Sequence, residues 1–310
     1  MKARAWIALF AVYIVWGSTY LAIRFTIETI PPFLSAGIRF LISGAILYIF
    51  RRISGDSRPK KVEWRSAAII GLLLLLGGNG GLVWAELRIP SGIASLFIAT
   101  TPLWMVLIDS LRPNGVSVNR MTWLGVIIGF IGIAILANPW QSHTESPALD
   151  PLGMVVLVLA ALSWSVGSLY SRQARLPSSS LLGTGMEMLI GSLGLFIFSA
   201  VIGEWNQFDP ATVSMRSIGG LIYLILFGSF IGFVAYTWLL RNAPTPIVST
   251  YAYVNPVVAL FLGSVIAGET LDKQDIISAL IILSGVILIT TAKSLGVGKA
   301  SQVPLTPGED

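Results

Sequence analysis

The sequence contains no cysteine, which excludes disulfides, thiol nucleophiles and Cys-ligated metals. Its one histidine, His143, lies in a polar loop without the companions that a metal site or proton relay would need. Charge is scarce as well. Only 11% of residues are Asp, Glu, Lys or Arg, against about a quarter in a water-soluble protein. So few charges cannot wet the surface of a chain this size, so most of that surface must face lipid. The formal charge of +5 is spread over short loops and does not suggest nucleic acid. There is no nucleophile motif, no phosphate loop and no carboxylate cluster at metal-ligand spacing, so no enzyme, cofactor or metal site is expected.

What the sequence has in quantity is long apolar runs: 55% of residues are hydrophobic and the mean hydropathy is +0.80. Ten segments can be cut, each near the ~20 residues that cross a bilayer as a helix. They are Trp6–Ile23, Pro32–Phe50, Ser66–Glu86, Ser91–Leu111, Thr122–Ala137, Leu152–Tyr170, Leu181–Ile202, Ile218–Leu240, Ile247–Gly268 and Ile276–Ala292. The runs lack the two-residue alternation of strands. Helix 1 follows Lys2 and Arg4 but has no small-residue cleavage site, so it reads as retained. Basic residues such as Arg51, Arg52, Lys60, Lys61, Arg172, Arg175 and Arg241 fall in loops on one side. Acidic residues such as Glu28, Glu145, Asp150, Glu204, Asp209 and Glu269 fall on the other. The basic side is read as cytoplasmic, with both termini inside. The same basic loop, Arg51–Arg65, could alternatively bind anionic lipid.

The chain repeats itself. Trp84–Pro102 lies without a gap on Trp238–Pro256, matching Trp84 to Trp238, Pro90 to Pro244, Ile93 to Ile247, Ser95 to Ser249 and Pro102 to Pro256. Trp16–Phe50 lies on Trp164–Phe198 in the same manner, matching Trp16 to Trp164, Arg24 to Arg172 and Gly37 to Gly185. Five helices is an odd number, so the second copy enters the membrane from the opposite face. The expected fold is all-α integral membrane, with ten transmembrane helices as two inverted five-helix repeats. The first repeat covers 5–137 and the second 151–293. An external linker, 138–150, joins them, and 294–310 is expected as a disordered cytoplasmic tail.

Polar groups at bilayer depth are costly and tend to be paired or functional. Arg39 and Glu187 occupy equivalent positions of the two copies with opposite charge, roughly 10 Å into their helices. They read as a structural ion pair or separately bonded charges, or else as a coupling pair. The structural reading stands first because a paired charge is not free to titrate. Glu86 could meet a substrate amine or a proton, or be a solvated interface residue. Asn79 within GGNGG marks either a site or tight packing. Trp16, Tyr20, Trp84, Trp164, Tyr236, Trp238, Tyr251 and Tyr253 are either interface anchors or walls that would hold flat organic molecules. Pro102 and Pro256 interrupt helices, and the preceding Thr101 and Asn255 could partner the freed carbonyls or touch substrate. Gly125-x-x-x-Gly129 and Gly228-x-x-x-Gly232 are close-packing motifs, the first either a dimer face or an internal contact.

WGSTYLAIRF, GIRF, GNGGLVWAE, PSGIAS with its following TP, and STYAYVNPVVA followed by GET together resemble the drug/metabolite transporter superfamily. Within it the likeness is to the ten-helix exporters with two EamA domains, in their YedA-like branch. It runs from about Ala5 to Lys293. The resemblance implies a helical basket around a cavity built by helices 1, 3, 4, 6, 8 and 9, with Trp16, Asn79, Glu86, Trp164, Tyr253 and Asn255 as cavity residues. It also implies export of amino acids, metabolites or drug-like compounds from bacteria. Alternating access across the inner membrane follows from the inverted repeats, while monomer or homodimer and coupling to protons stay open. The alternatives are a sugar-phosphate or nucleotide-sugar exchanger, which would want cavity cations that helices 4 and 9 lack, and a membrane enzyme on lipid-linked substrates.

Overall fold

An uncharged apolar run can satisfy its backbone in lipid only by closing its hydrogen bonds on itself, which favours helices. The computed structural model describes residues 3–111, 120–137, 150–243, 248 and 250–300. His143 with the rest of linker 138–149, and the tail 301–310, lie outside these residues, as do the side chains of Ala3, Tyr253, Thr290 and of 292–300. Regular structure among the described residues is entirely helical. The first half has α1 (Ala3–Thr26), α2 (Pro32–Ile53), α3 (Lys61–Ala85), α4 (Ser91–Ser110) and α5 (Arg120–Ala137). The second has α6 (Pro151–Ser171), α7 (Ser180–Val201), α8 (Met215–Asn242), α9 (Tyr251–Ala267) and α10 (Lys273–Ala300). α1 to α4 and α6 to α8 are long and apolar enough to cross a membrane, while α5 and α9 are shorter apolar helices. α10 continues to Ala300, beyond the end at Ala292 read from hydropathy.

The helix starts carry conventional caps. Asp150, Ser179 and Ser214 each accept a backbone N–H from the first turn of α6, α7 and α8, and Pro32 opens α2. Gly268, at φ +67, closes α9 in the left-handed region that a side chain would resist. Trp6, Ile49, Leu193 and Val265 point outward, as an apolar belt should. Arg39, Glu86, Glu187, Ser165 and Ser229 are inside.

The helices pack in a regular order. α2 pairs with α7 and α5 with α10; α1 lies against α8 and α9, and α6 against α3 and α4. Glycines set the close approaches. A Cβ on Gly125 would fall 2.8 Å from the Gly285 carbonyl of α10. The Gly125–Gly129 face is therefore taken up by an internal helix contact. A Cβ on Gly232 would fall 2.4 Å from Trp16 Nε1, so the second motif seats α8 on α1.

Two departures from the α-helix were not legible in the sequence. α3 winds as a π-helix from Leu72 to Gly80, and α8 does so from Leu224 to Phe233. The repeat register places these segments on one another. The prolines act differently in the two halves. α4 breaks at Ala99–Thr100 just before Pro102, whereas α9 runs through Pro256.

Candidate functional site

The π segments face the centre. The Leu73 carbonyl, in the first π segment, accepts Ser163 Oγ of α6 at 2.7 Å. The Gly228 carbonyl, in the second, accepts Trp16 Nε1 of α1 at 3.2 Å. Each irregular segment is thus met by a side chain from the facing helix. Glycines make room for this, since a Cβ on Gly77 would lie 2.2 Å from Ser163 Oγ and one on Gly78 would lie 2.8 Å from Trp164.

Between these segments is a chamber. α1 lines it with Trp16, Thr19 and Tyr20, which the helical period stacks on one face. α6 adds Trp164, α9 adds Tyr251 and Asn255, and α3 adds Asn79. Arg39 and Phe40 come from α2 and Phe233 from α8. Sequence reasoning named Trp16, Tyr20, Asn79, Trp164, Tyr251 and Asn255 for a cavity, and Arg39 as an intramembrane charge. It missed Thr19, Phe40, Leu75 and Phe233. The rings pack on one another more than they line space. Trp16 lies 4.8 Å from Tyr236, 5.6 Å from Trp164 and 5.6 Å from Tyr251, centroid to centroid. The Tyr236 hydroxyl accepts Trp164 Nε1 at 3.2 Å and shares a hydrogen bond with Ser168. About 60 Å³ remains free, far below the ~300 Å³ or more of a drug-sized site. Two acceptors in this chamber, Asn79 Oδ1 and Asn255 Oδ1, have no partner among the described residues.

Arg39 and Glu187 do not pair. Arg39 Nε donates to Ser229 Oγ at 2.9 Å, and its guanidinium sits 4.6 Å from the Phe40 ring centroid. Glu187 instead lines a separate cavity of about 420 Å³. Ile70 and Leu74 of α3, Arg172 at the end of α6, and Thr237 and Arg241 of α8 share that cavity. It lies on the basic face, where α6 and α8 end. A corresponding set exists on the acidic face. Ile23, Thr26, Arg39, Val83 and Leu224 line a space with no room for a water molecule. Under the repeat registers these fall on Ser171, Ala174, Glu187, Thr237 and Ile70 of the open cavity.

The remaining candidates lie elsewhere. Trp84 lines a wide cleft of about 890 Å³ on the acidic face with Phe33, Leu76 and Phe198, and stacks under Arg88. Glu86 is fully buried outside the chamber, and its carboxylate oxygens have no partner among the described residues. Arg24 reaches only its backbone carbonyl, at 3.1 Å. Thr101 Oγ1 takes the Ile98 carbonyl at 2.7 Å, the acceptor that Pro102 cannot bond. Trp238 packs half-buried on the core.

Two carboxylates of the acidic side, Glu204 and Glu269, hold helix starts. Glu204 accepts the N–H groups of Phe33 and Leu34 and the Ser199 hydroxyl. Glu269, of the GET stretch, accepts Ser91 N, Ser91 Oγ and Gly92 N. Outside the spans, Asp150 pairs with Arg88 at 2.6 Å, and that hydrogen bond holds its carboxyl below the usual carboxylate range.

Comparison with known proteins agrees with this architecture. The chain is 38% identical over 306 residues to the Escherichia coli K12 protein named "Uncharacterized inner membrane transporter YedA", covering 96% of this chain and 94% of that one. It is 24% identical over 285 residues to the Bacillus subtilis "Uncharacterized transporter YoaV", covering 92% and 96%. A crystal structure with 21% identity superposes at a TM-score of 0.66 over 95% of this chain and 99% of that one, a likeness of fold. The model of the EamA-like transporter family matches twice, over residues 3–138 and 151–291. With both halves matched, the chain belongs to the EamA-like transporter family.

Proposed function

We propose that the protein exports small organic solutes across a bacterial inner membrane by alternating access. In this reading ten crossings form two inverted repeats, and both termini are cytoplasmic. The observation that carries it is the pair of equivalent vestibules. One set of five positions encloses about 420 Å³ and its repeat-related set is shut. Two halves of near-equal build, one vestibule open and its repeat-related counterpart shut, are what a carrier needs if exchanging their conformations is to move the opening across the membrane. Because the basic face is read as cytoplasmic, the described conformation is open inward. The aromatic chamber lies between the vestibules, and its tight packing suits an unloaded carrier. Supporting the transporter class are the family match and the relatives' printed names.

Reconstituted in liposomes, the protein should speed equilibration of at least one solute from a panel of amino acids and amphipathic amines above the rate of protein-free vesicles. A panel that moves only at the protein-free rate would overturn the proposal. An imposed pH gradient separates the energetics: a changed flux assigns proton coupling, and an identical flux assigns facilitated diffusion.

A further inference from the structure

We infer that the open vestibule is itself a recognition site, taking a small zwitterion with an aliphatic side chain, its ammonium on Glu187 and its carboxylate on Arg241. Glu187 lines this cavity and is 2% exposed. Its Oε2 has no hydrogen-bond partner among the described residues. The repeat-related Arg39 shows what a satisfied charge looks like at this place in the fold, with Ser229 bonded to it and the surrounding space closed. Glu187 has no such partner and has space before it instead. A buried carboxylate oxygen facing a cavity calls for a donor, and an ammonium group supplies both donor and opposite charge.

The ligand's carboxylate is met by Arg241. Its Nη1 is spent on the Pro177 carbonyl and Ser180 Oγ, both at 3.2 Å. These bonds orient a guanidinium that has five N–H donors in all, and a carboxylate suits the remaining fork. Ile70, Leu74 and Leu240 of the same cavity supply an apolar wall for the aliphatic side chain. The purpose of this site rests on the exporter reading, but the binding does not.

The test uses the purified full-length chain and three probes: leucine, 3-methylbutylamine (leucine without its carboxylate) and 4-methylpentanoate (leucine without its ammonium). Calorimetry should rank leucine tightest. Glu187→Gln should weaken leucine by roughly tenfold, the worth of one charge-assisted hydrogen bond, and leave 4-methylpentanoate unchanged. Equal binding of all three probes, or no binding of leucine, overturns the proposal on the wild-type protein even if the variant does not fold. Unchanged leucine affinity in a folded Glu187→Gln overturns it too, and a loss seen only in Asn255→Ala would move recognition to the central chamber. Leucine binding without flux in liposomes would sink the exporter reading and leave this site standing.

Discussion

Glu204 shows how much one side chain can decide in a chain with so little charge. Its carboxylate takes two N–H groups at the start of α2 and the Ser199 hydroxyl, and it is buried while doing so. Burial lowers the local dielectric, so the bonds are worth more than at a surface. Glu204→Ala should lower the unfolding free energy by about 1.5–3 kcal/mol, the usual worth of hydrogen bonds to a charged group, and a melt in detergent reads it. The repeat register that lays Trp16 on Trp164 lays Asp56 on Glu204. Asp56 accepts Arg51 Nε at 2.8 Å and Nη2 at 2.6 Å. The Arg51 hydrogen bond, with Ser179 adding a second, holds the Asp56 carboxyl below its usual range. A carboxyl lowered on folding stabilises above its unfolded value of about 3.9 and loses that contribution as pH falls through the folded value. Asp56→Asn should therefore melt lower than wild type at neutral pH, and the gap should close once the pH drops below about 4. An equal gap at both pH values would assign the effect to packing.

At the scale of helices, hydropathy marked the long apolar helices because lipid leaves the backbone no other way to close its hydrogen bonds. It said little about which face turns inward. Where the outside is as apolar as the core, a helix has no amphipathic stripe to read. That is why Asn79, Trp164 and Asn255 were legible as candidate cavity residues, and Arg39 only as a buried charge, while Phe40, Leu75 and Phe233 were not. The π segments escaped for a related reason. Leu, Ile, Phe and Gly fit either winding, and GGNGG showed only that backbones could approach closely. The approach itself is testable. A Cβ on Gly71 would sit 2.3 Å from the Glu187 carbonyl oxygen, a backbone atom that cannot swing aside. Gly71→Ala should cost at least about 1–3 kcal/mol, as overpacking does. Gly219, also helical, has nothing within 4 Å of its Cβ position. Gly219→Ala should be neutral or stabilise by up to about 1 kcal/mol through helix propensity alone. Equal effects of the two substitutions in denaturant titrations would remove the close-contact account of how α3 meets α7.

For the whole molecule, the duplication was legible because aligned tryptophans and prolines survive in register, but the unequal state of its two halves was not. Repeat-related positions enclose a cavity on the basic face and no free space on the acidic face, where Ile23 and Thr26 stand in the places of the smaller Ser171 and Ala174. The difference is one of enclosed space at repeat-related helix positions. Accessibility measures it directly, and a sequence with no cysteine makes each introduced thiol the sole reactive one. Ser171 and Ala174 line the open vestibule, while their counterparts Ile23 and Thr26 are buried in the closed one. Ser171→Cys and Ala174→Cys should react with a membrane-impermeant maleimide applied from the basic face. Ile23→Cys and Thr26→Cys should stay unreactive from either face in the same vesicles. A solute that drives the carrier over should reverse the pattern, slowing the first pair and exposing the second. Equal labelling of all four with and without solute would mean that the two vestibules do not alternate, and a static channel or a rigid scaffold would then account better for the paired cavities.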